Sequence, residues 1–339
     1  MVNTQHRLNV AVLSGGFSSE DYLSRRSAEL IIAHANPQRY RCTLLNWDSA
    51  GWVDESAPDQ AAHIVTRHAN VLATFAIQGR FDIVINTLHG ELECDGQLQG
   101  MFELIRQPYT GNGKMASIKG MNKILSKQIM RAAGFLTPDW YAFTRAEWPS
   151  RAADIGAAAA AFGFPLIVKA ATGGSSNSTE LVESQEDIQQ AITRLLINYD
   201  EIYLEPFLDG LEYTAAVFGR PGSPQFQSLP VARIAYAGRM FDAAIKKSDR
   251  YQVAIPCGLS AATQLELQSI AEKLHACFRF NAFSRVDFRF ADGQPYLLEV
   301  NTHPGLGKNS IVPLMLNAAG IAWESAVDWL IDNGLQRQA

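Results

Sequence analysis

LNVAVLSGG, residues 8–16, is an apolar run that stops at Ser14, Gly15 and Gly16. A short unbroken apolar run reads as a strand buried on both faces, and the glycines read as the loop it enters. The pattern repeats downstream. Ser24–Ala35 reads as a helix, YRCTLLNW (40–47) as a second strand, and FDIVINTLHG (81–90) as a third that again ends in a polar loop. Strand–helix–strand alternation implies a parallel sheet covered by helices. Ligands of such sheets sit beyond the carboxyl ends of the strands, where the loops starting at Ser14 and His89 lie.

Two further sections follow. MNKILSKQIMRAAG (121–134) reads as a helix stopped by Gly134. FPLIVKAATGGSSNSTELV (164–182) reads as two strands around a glycine–serine loop, and EIYLEPFLDGLEYTAAVFG (201–219) as a strand pair turning at Asp209–Gly210. Then come a polar segment (Ala237–Gln252), a helix (Ala261–Phe278), the strand pair FSRVDFRF (283–290) and PYLLEV (295–300), and a helical tail ending near Leu335. A chain of 339 residues suggests two domains, or three small ones. The division expected here is 1–115, 116–212 and 213–339.

Composition excludes several classes. Hydrophobic residues are 47%, enough for a core, and charged residues are only 19%, so the chain is not a disordered one. A net charge of -5 argues against a nucleic-acid partner bound through a global positive field, but allows a local basic pocket. Cys42, Cys94, Cys257 and Cys277 form no Cys-x-x-Cys pair, and reduced thiols are expected. The apolar run Leu8–Leu13 is too short for a signal sequence, and the one near Ile155–Phe164 is too short to span a bilayer. A cytoplasmic protein with no membrane partner is expected.

The densest chemistry lies near the C-terminus. Glu299 and Asn301 are two apart on one strand and share a face, and Asp287 on the neighbouring strand can join them. Two carboxylates and an amide oxygen are hard ligands suited to magnesium, which usually shares its shell with phosphates. Arg285 joins the same face, as a site that stabilises a transferring phosphoryl group requires. The plain alternative is a solvated strand face. Lys123, and Lys169 before the loop AATGGSSNS (170–178), could hold phosphates, although the loop is not a Walker motif and by itself reads as a flexible turn. Glu205 and Glu212 could accept from an adenine amino group or a ribose hydroxyl, or could simply be solvated.

In order and type, VAVLSGGFSSE, LHGELECDGQLQG, PYTGNG, MNKILSK, FPLIVKAATGGSS, YLEPFLDGLEY, SRVDF and LEVNTHPG resemble the D-alanine–D-alanine ligase family of the ATP-grasp enzymes, over nearly the whole chain. The resemblance implies a three-part α/β fold: an N-terminal parallel-sheet domain and two α+β domains that clasp ATP between antiparallel sheets. It implies a ligase that forms a dipeptide through an acyl phosphate, with ATP and two magnesium ions (or manganese) as cofactors. Small amino acids would be the substrates, and a homodimer the common assembly. By position, Lys123, Lys169 and Lys246 match phosphate-binding lysines. Glu205 and Leu208 match the adenine segment, and Glu212 the ribose ligand. Asp287, Glu299 and Asn301 match the metal ligands. Glu20 matches the residue that takes the first substrate's amino group, with His89 beside it and Ser175 as its anchor. Arg285 and the Gly305 amide match groups around the tetrahedral intermediate, and Ser310 the serine for the second substrate's carboxylate.

Three departures bear on the acceptor. Within HGELECDG (89–96), Glu93 stands for a glycine and Cys94 for a glutamate of the family pattern. Lys247 stands where a tyrosine is usual after the phosphate-binding lysine, and Lys308 where small hydroxyl residues are frequent. Ala170 replaces a frequent proline. Cations facing the second substrate would suit a specialised acceptor, such as D-serine, D-lactate or an acidic or L-amino acid; the plain alternative is that Cys94 is a tolerated small residue and that Lys247 and Lys308 are solvated. Two readings compete from other classes. A nucleotide binder without catalysis has no need of the full metal set. A dinucleotide oxidoreductase needs a three-glycine fingerprint that VLSGGFSSE lacks.

Overall fold

The computed structural model describes residues 7–18, 20–48, 51–55, 64–66, 80–90 and 94–336. Strand β1 (Leu8–Gly15) buries Val10 to Leu13 completely, as its unbroken apolar run requires. It lies between β2 (Tyr40–Asp48) and β5 (Ile83–Ile85), parallel to both. Helix α1 (Asp21–His34) makes the crossover. The sheet is not parallel throughout. Its order is β4-β3-β2-β1-β5, and β3 (Gly51–Asp54) and β4 (Ile64–Thr66) are antiparallel additions at one edge. β2 ends at Asp48 and β3 begins at Gly51, whereas a parallel neighbour needs a crossover of a dozen residues or more. Helix α2 (Gln97–Leu104) follows.

The predicted helix at 121–134 is the second of two. Helix α3 (Lys114–Met121) ends at Asn122, whose side chain accepts from Leu125 N (2.9 Å) and caps α4 (Lys123–Ala132). A four-stranded antiparallel sheet, ordered β6-β9-β7-β8, comes next: β6 (Tyr141–Thr144), β7 (Leu166–Ala170), β8 (Thr179–Val182) and β9 (Glu201–Pro206). Helices α5 (Trp148–Phe162) and α6 (Gln185–Leu196) close its core through Ile155, Ala159, Ile188 and Ile192.

The third sheet runs β13-β12-β10-β14-β15, with β11 (Gln227–Ser228) beside β10. Its strands are β10 (Leu211–Phe218), β12 (Ala232–Tyr236), β13 (Tyr251–Ala254), β14 (Phe283–Ala291) and β15 (Gln294–Asn301), all antiparallel to their neighbours. The polar segment before β13 folds into the short helix α7 (Ala243–Lys247). Helix α8 (Ala261–Phe278) covers one face through Leu267, Ala271, Leu274 and Phe278, and Ala116 and Met130 of α3 and α4 join that core. Helices α9 (Ile311–Ala318) and α10 (Trp323–Gln336) return to the first sheet, so Val10, Ile83, Phe218 and Ile331 belong to one core.

The expected strand pair at 201–219 is corrected. β9 pairs with β6 and β7, whereas β10 pairs with β11, β12 and β14, so the chain crosses between sheets at Phe207–Gly210. Ile202 and Leu204 of β9 pack into the core of the second sheet, whereas Tyr213, Ala215 and Val217 of β10 pack into the core under α8. A Cβ on Gly210 would lie 1.7 Å from the Phe290 carbonyl oxygen, so only glycine allows this approach. Gly210→Ala should therefore destabilise the fold by about 1–3 kcal/mol, through forced backbone displacement, read as a lower denaturant midpoint.

Candidate active site

The site residues expected from the sequence all line one cavity of about 670 Å³, between the second and third sheets and open to the carboxyl end of β1. At its floor Asp287 faces Glu299, and Arg285 faces Asn301, across the β14–β15 ladder. A bulge at Leu298 shifts the register beyond this point, so Leu298 and Glu299 both reach the cavity. Arg285 grips Asp287 as a fork, Nε to Oδ1 at 2.9 Å and Nη2 to Oδ2 at 2.8 Å. Thr214 Oγ1 donates to Asp287 Oδ1 (2.6 Å), and Asn301 Nδ2 to Oδ2 (2.9 Å). Burial pushes the Asp287 carboxyl up, but Arg285 more than offsets it and holds it below the carboxylate range. Asp287, Glu299 and the Asn301 amide oxygen form a hard-oxygen donor set that suits magnesium. Among the described residues no three His, Cys, Asp or Glu side chains stand together as a metal cluster.

The cations lie above this floor. Lys123 begins α4 and donates to Gly173 O (2.7 Å) of the glycine–serine loop. Burial pushes its ammonium below the ordinary lysine range, and Glu299 offsets only part of that. Lys246, on α7, donates to Ser176 Oγ (2.8 Å), and Ser176 in turn donates to Phe241 O (2.9 Å). These bonds tie the segment between β12 and β13 to the second sheet. At the crossing, Glu205 is 2% exposed and pairs with Lys169 through Oε1 (2.7 Å) and with Lys127 through Oε2 (2.8 Å). Burial would raise the Glu205 carboxyl, but the two lysines outweigh it and bring it down to about 2. Burial would lower the Lys169 ammonium, and Glu205 reverses that. Leu208 and Glu212 complete this end, with Tyr236 donating to Glu212 Oε2 at 2.9 Å.

Parts of the chain far apart in sequence meet at the other end. Glu20 precedes α1, and its side chain, unused as a cap, accepts from Ser175 Oγ. A Cβ on Gly174 would lie 2.6 Å from Glu20 Oε2, so the glycine admits this carboxylate. His89 is buried, with Nδ1 2.6 Å from Thr87 O. That bond needs the proton on Nδ1, so Nε2 presents a lone pair, and it has no hydrogen-bond partner among the described residues. Burial lowers the His89 pKa, and it lowers that of His303, whose ring lies 5.0 Å away, to about 3. Gly305 sits between His89 and Ser310, since a Cβ there would be 3.7 Å from His89 Nε2 and 3.1 Å from Ser310 Oγ. Ser310 precedes α9 without capping it through its side chain, which leaves the hydroxyl available to a ligand.

One expectation about the acceptor end is corrected. Lys247 is exposed and does not line the cavity, because it follows the inward Lys246 on α7 and points to another face. Lys308 does line the rim, although exposed. Cys94 is buried against the cavity with Sγ 3.4 Å from Leu88 O, and Glu93 lies outside the described residues. Two residues were missed. Lys127 stands four after Lys123, on the same helix face, and Arg289 continues the alternation of Arg285 and Asp287. Both spacings were signals in the sequence.

A cavity between two antiparallel sheets, with lysines set above paired carboxylates and an arginine, defines an ATP-grasp ligase, an ATP-dependent enzyme that forms a peptide bond. Residues 9–112 match the D-ala D-ala ligase N-terminus family and residues 129–332 the D-ala D-ala ligase C-terminus family. The D-alanine–D-alanine ligase of Nitrosomonas europaea is 34% identical, over 98% of each chain. That of Nitrosococcus oceani is 31% identical, over 97% of this chain and 94% of its own. The fold superposes on the Bacillus anthracis D-alanine–D-alanine ligase, solved complexed with ATP, with a TM-score of 0.75 and 24% identity over 98% of each chain. The chain belongs to the D-alanine–D-alanine ligase family.

Proposed function

We propose that the chain joins two D-alanine molecules at the expense of ATP, making a precursor for the bacterial cell wall in the cytoplasm. The observation that carries this reading is the meeting of Glu20 with the Ser175 loop in the same cavity as the Arg285–Asp287 fork. An acceptor for an amino group thus stands beside machinery for phosphoryl transfer. The relatives' shared name favours D-alanine over a specialised acceptor. The outward Lys247 removes one reason for expecting the latter. Among the described residues no helix is long and apolar enough to cross a membrane. The three sheets support parts at 1–115, 116–212 and 213–339, with the second and third holding the nucleotide. A homodimer completes the reading, and sedimentation tests it.

Glu205 and Leu208 would hold the adenine, Glu212 the ribose, and Lys123, Lys169 and Lys246 the phosphates. Asp287, Glu299 and Asn301 would hold two magnesium ions, or manganese, which neutralise phosphate oxygens. Glu20, anchored by Ser175, would bind the first D-alanine's ammonium group, with His89 beside its carboxylate. That carboxylate is a poor acylating agent, and two anions must approach for it to be phosphorylated. The lysines and Arg285 offset that repulsion. The carboxylate oxygen bonds to the γ-phosphorus and ADP leaves. The second D-alanine, held through its carboxylate by Ser310, attacks the acyl carbon as a free amine. The Gly305 amide and Arg285 would stabilise the tetrahedral oxyanion, and its collapse expels phosphate, which carries away the surplus proton of the attacking amine. The contacts of Lys246 and Ser176 would hold the covering segment closed and keep water from the acyl phosphate.

The test is phosphate release from ATP and magnesium with D-alanine, D-serine, D-lactate, D-aspartate and the L-forms, singly and in pairs, with products identified by mass. D-alanine alone should give the dipeptide. Turnover confined to another pair would overturn the substrate assignment.

A further inference from the structure

We propose that Arg289 is a positioning residue for the nucleotide, which fixes Glu212 for the ribose hydroxyls and ties that carboxylate to the covering segment. The inference rests on the reading that the cavity takes ATP. Arg289 projects from β14 and is 7% exposed. Its Nη1 donates to Tyr236 OH (2.7 Å) and Gly210 O (3.2 Å), and lies 3.5 Å from Glu212 Oε2. Its Nη2 donates to Arg239 O (3.0 Å), near the start of the covering segment. The guanidinium carbon lies 5.5 Å from the Phe207 ring centre. One planar cation thus joins the crossing between the sheets, the presumed ribose acid and the root of the cover.

Glu212 needs such a partner. Glu212 accepts from hydroxyls most strongly when ionised, yet burial pushes its carboxyl up and Asp287 adds to that, with Arg289 the main force opposing both. Tyr236 and Arg289 both engage Oε2, so the pair sets the rotation of the carboxylate and leaves Oε1 for the sugar. A lysine could supply the charge but not this fork, because its ammonium is a point donor. A merely structural arginine would shape the cavity for any nucleotide, whereas a positioning one acts through the ribose hydroxyls.

The experiment compares ATP with 2′,3′-dideoxy-ATP in the wild type and in Arg289→Met, Arg289→Lys and Tyr236→Phe, reading phosphate release with D-alanine saturating. Losing a charge-supported hydrogen bond should raise KM for ATP about tenfold in Arg289→Met and less in Arg289→Lys. KM for the dideoxy nucleotide should rise less than about twofold, since the hydroxyls that Glu212 serves are gone. KM for D-alanine should change less than KM for ATP. Equal rises for both nucleotides, or no rise for either, would overturn the role of Arg289 alone. A wild type that releases no phosphate with any amino acid would overturn the ATP reading and this inference with it. If Arg289→Met does not fold, the same split between nucleotides is required of Arg289→Lys and Tyr236→Phe.

Discussion

Replacing Arg285 with methionine should lower kcat by about 10²–10³-fold while changing KM for ATP much less. The reason is where the guanidinium sits. It grips Asp287 through two bonds of 2.9 and 2.8 Å at the floor of the cavity, facing Asn301 across the ladder. On the proposed reading the lysines and Glu205 would hold the rest of the nucleotide elsewhere, so ground-state binding should survive. What would disappear is a fixed cation where charge builds up during phosphoryl transfer and again on the tetrahedral oxyanion. Burial would lower the Arg285 pKa, but Asp287 outweighs it and lifts it above the usual arginine range. The group stays charged at any working pH, so no limb of the pH–rate profile belongs to it. Arg285→Lys separates charge from geometry, because it keeps the cation and loses the fork, and should recover only part of the rate. The loss of one partner from a buried pair also costs stability, by about 3–5 kcal/mol, so kinetics must be measured below the variant's unfolding transition. A folded Arg285→Met enzyme with near-normal kcat would remove Arg285 from the mechanism.

The sequence displayed some levels of this structure better than others. β1, α8 and the β14–β15 pair were legible because each carries its own signal: an apolar run ended by glycines, a helix begun by Ser260 with its side chain on Thr263 N, and alternation on both strands. The crossing at Phe207–Gly210 was not. A hairpin and a passage between sheets present the same strand–turn–strand pattern, and the difference lies in partners remote in sequence: Tyr141–Thr144 and Leu166–Ala170 for β9, Ala232–Ile234 and Phe283–Phe290 for β10. The break at Asn122 was visible only as a capping residue inside a helical pattern.

The site was legible to the degree that its chemistry is local. Asp287, Glu299 and Asn301 could be placed on one face by strand periodicity alone. The contact of Ser175 with Glu20 joins residues 155 positions apart, and only the resemblance supplied it. Whether Lys247 faces the acceptor or water is not legible in the sequence, because charge type says nothing about direction on a five-residue helix that turns Lys246 inward. The spacing of Lys127 four after Lys123 places it on the same helix face, but a lysine on an amphipathic helix is ordinarily solvated, and nothing local announces its buried carboxylate on a distant strand.

That lysine carries the other large expected effect, on stability. Lys127 is 0% exposed and sits between Glu205 and the start of the second sheet, with Nζ 2.8 Å from Glu205 Oε2 and donating at 3.0 Å to both Thr137 Oγ1 and Pro138 O. Burial pushes its ammonium below the lysine range, and Glu205 restores only part of that. Lys127→Met removes one charge of the triad and leaves Glu205 with Lys169 alone, in a place water does not reach. Breaking a buried pair in this way should cost about 3–5 kcal/mol. In a unit of this size that lowers Tm by about 10 °C. The pH dependence identifies the cause. The folded-state carboxyl of Glu205 is depressed to about 2 from an ordinary value near 4.5. Its ionised form therefore stabilises the wild type above the ordinary value, and that contribution is lost as pH falls toward about 2. Removing Lys127 lifts the folded-state pKa and shrinks the contribution at neutral pH. The gap in unfolding free energy between wild type and variant should thus be widest at neutral pH and narrow on acidification. Denaturant titrations at both ends of the range measure it. A gap that stays constant with pH would mean that lost packing, and not the Glu205 charge, accounts for the destabilisation. A variant within 2 °C of wild type, about 1 kcal/mol or less, would show that Lys169 alone is sufficient for Glu205.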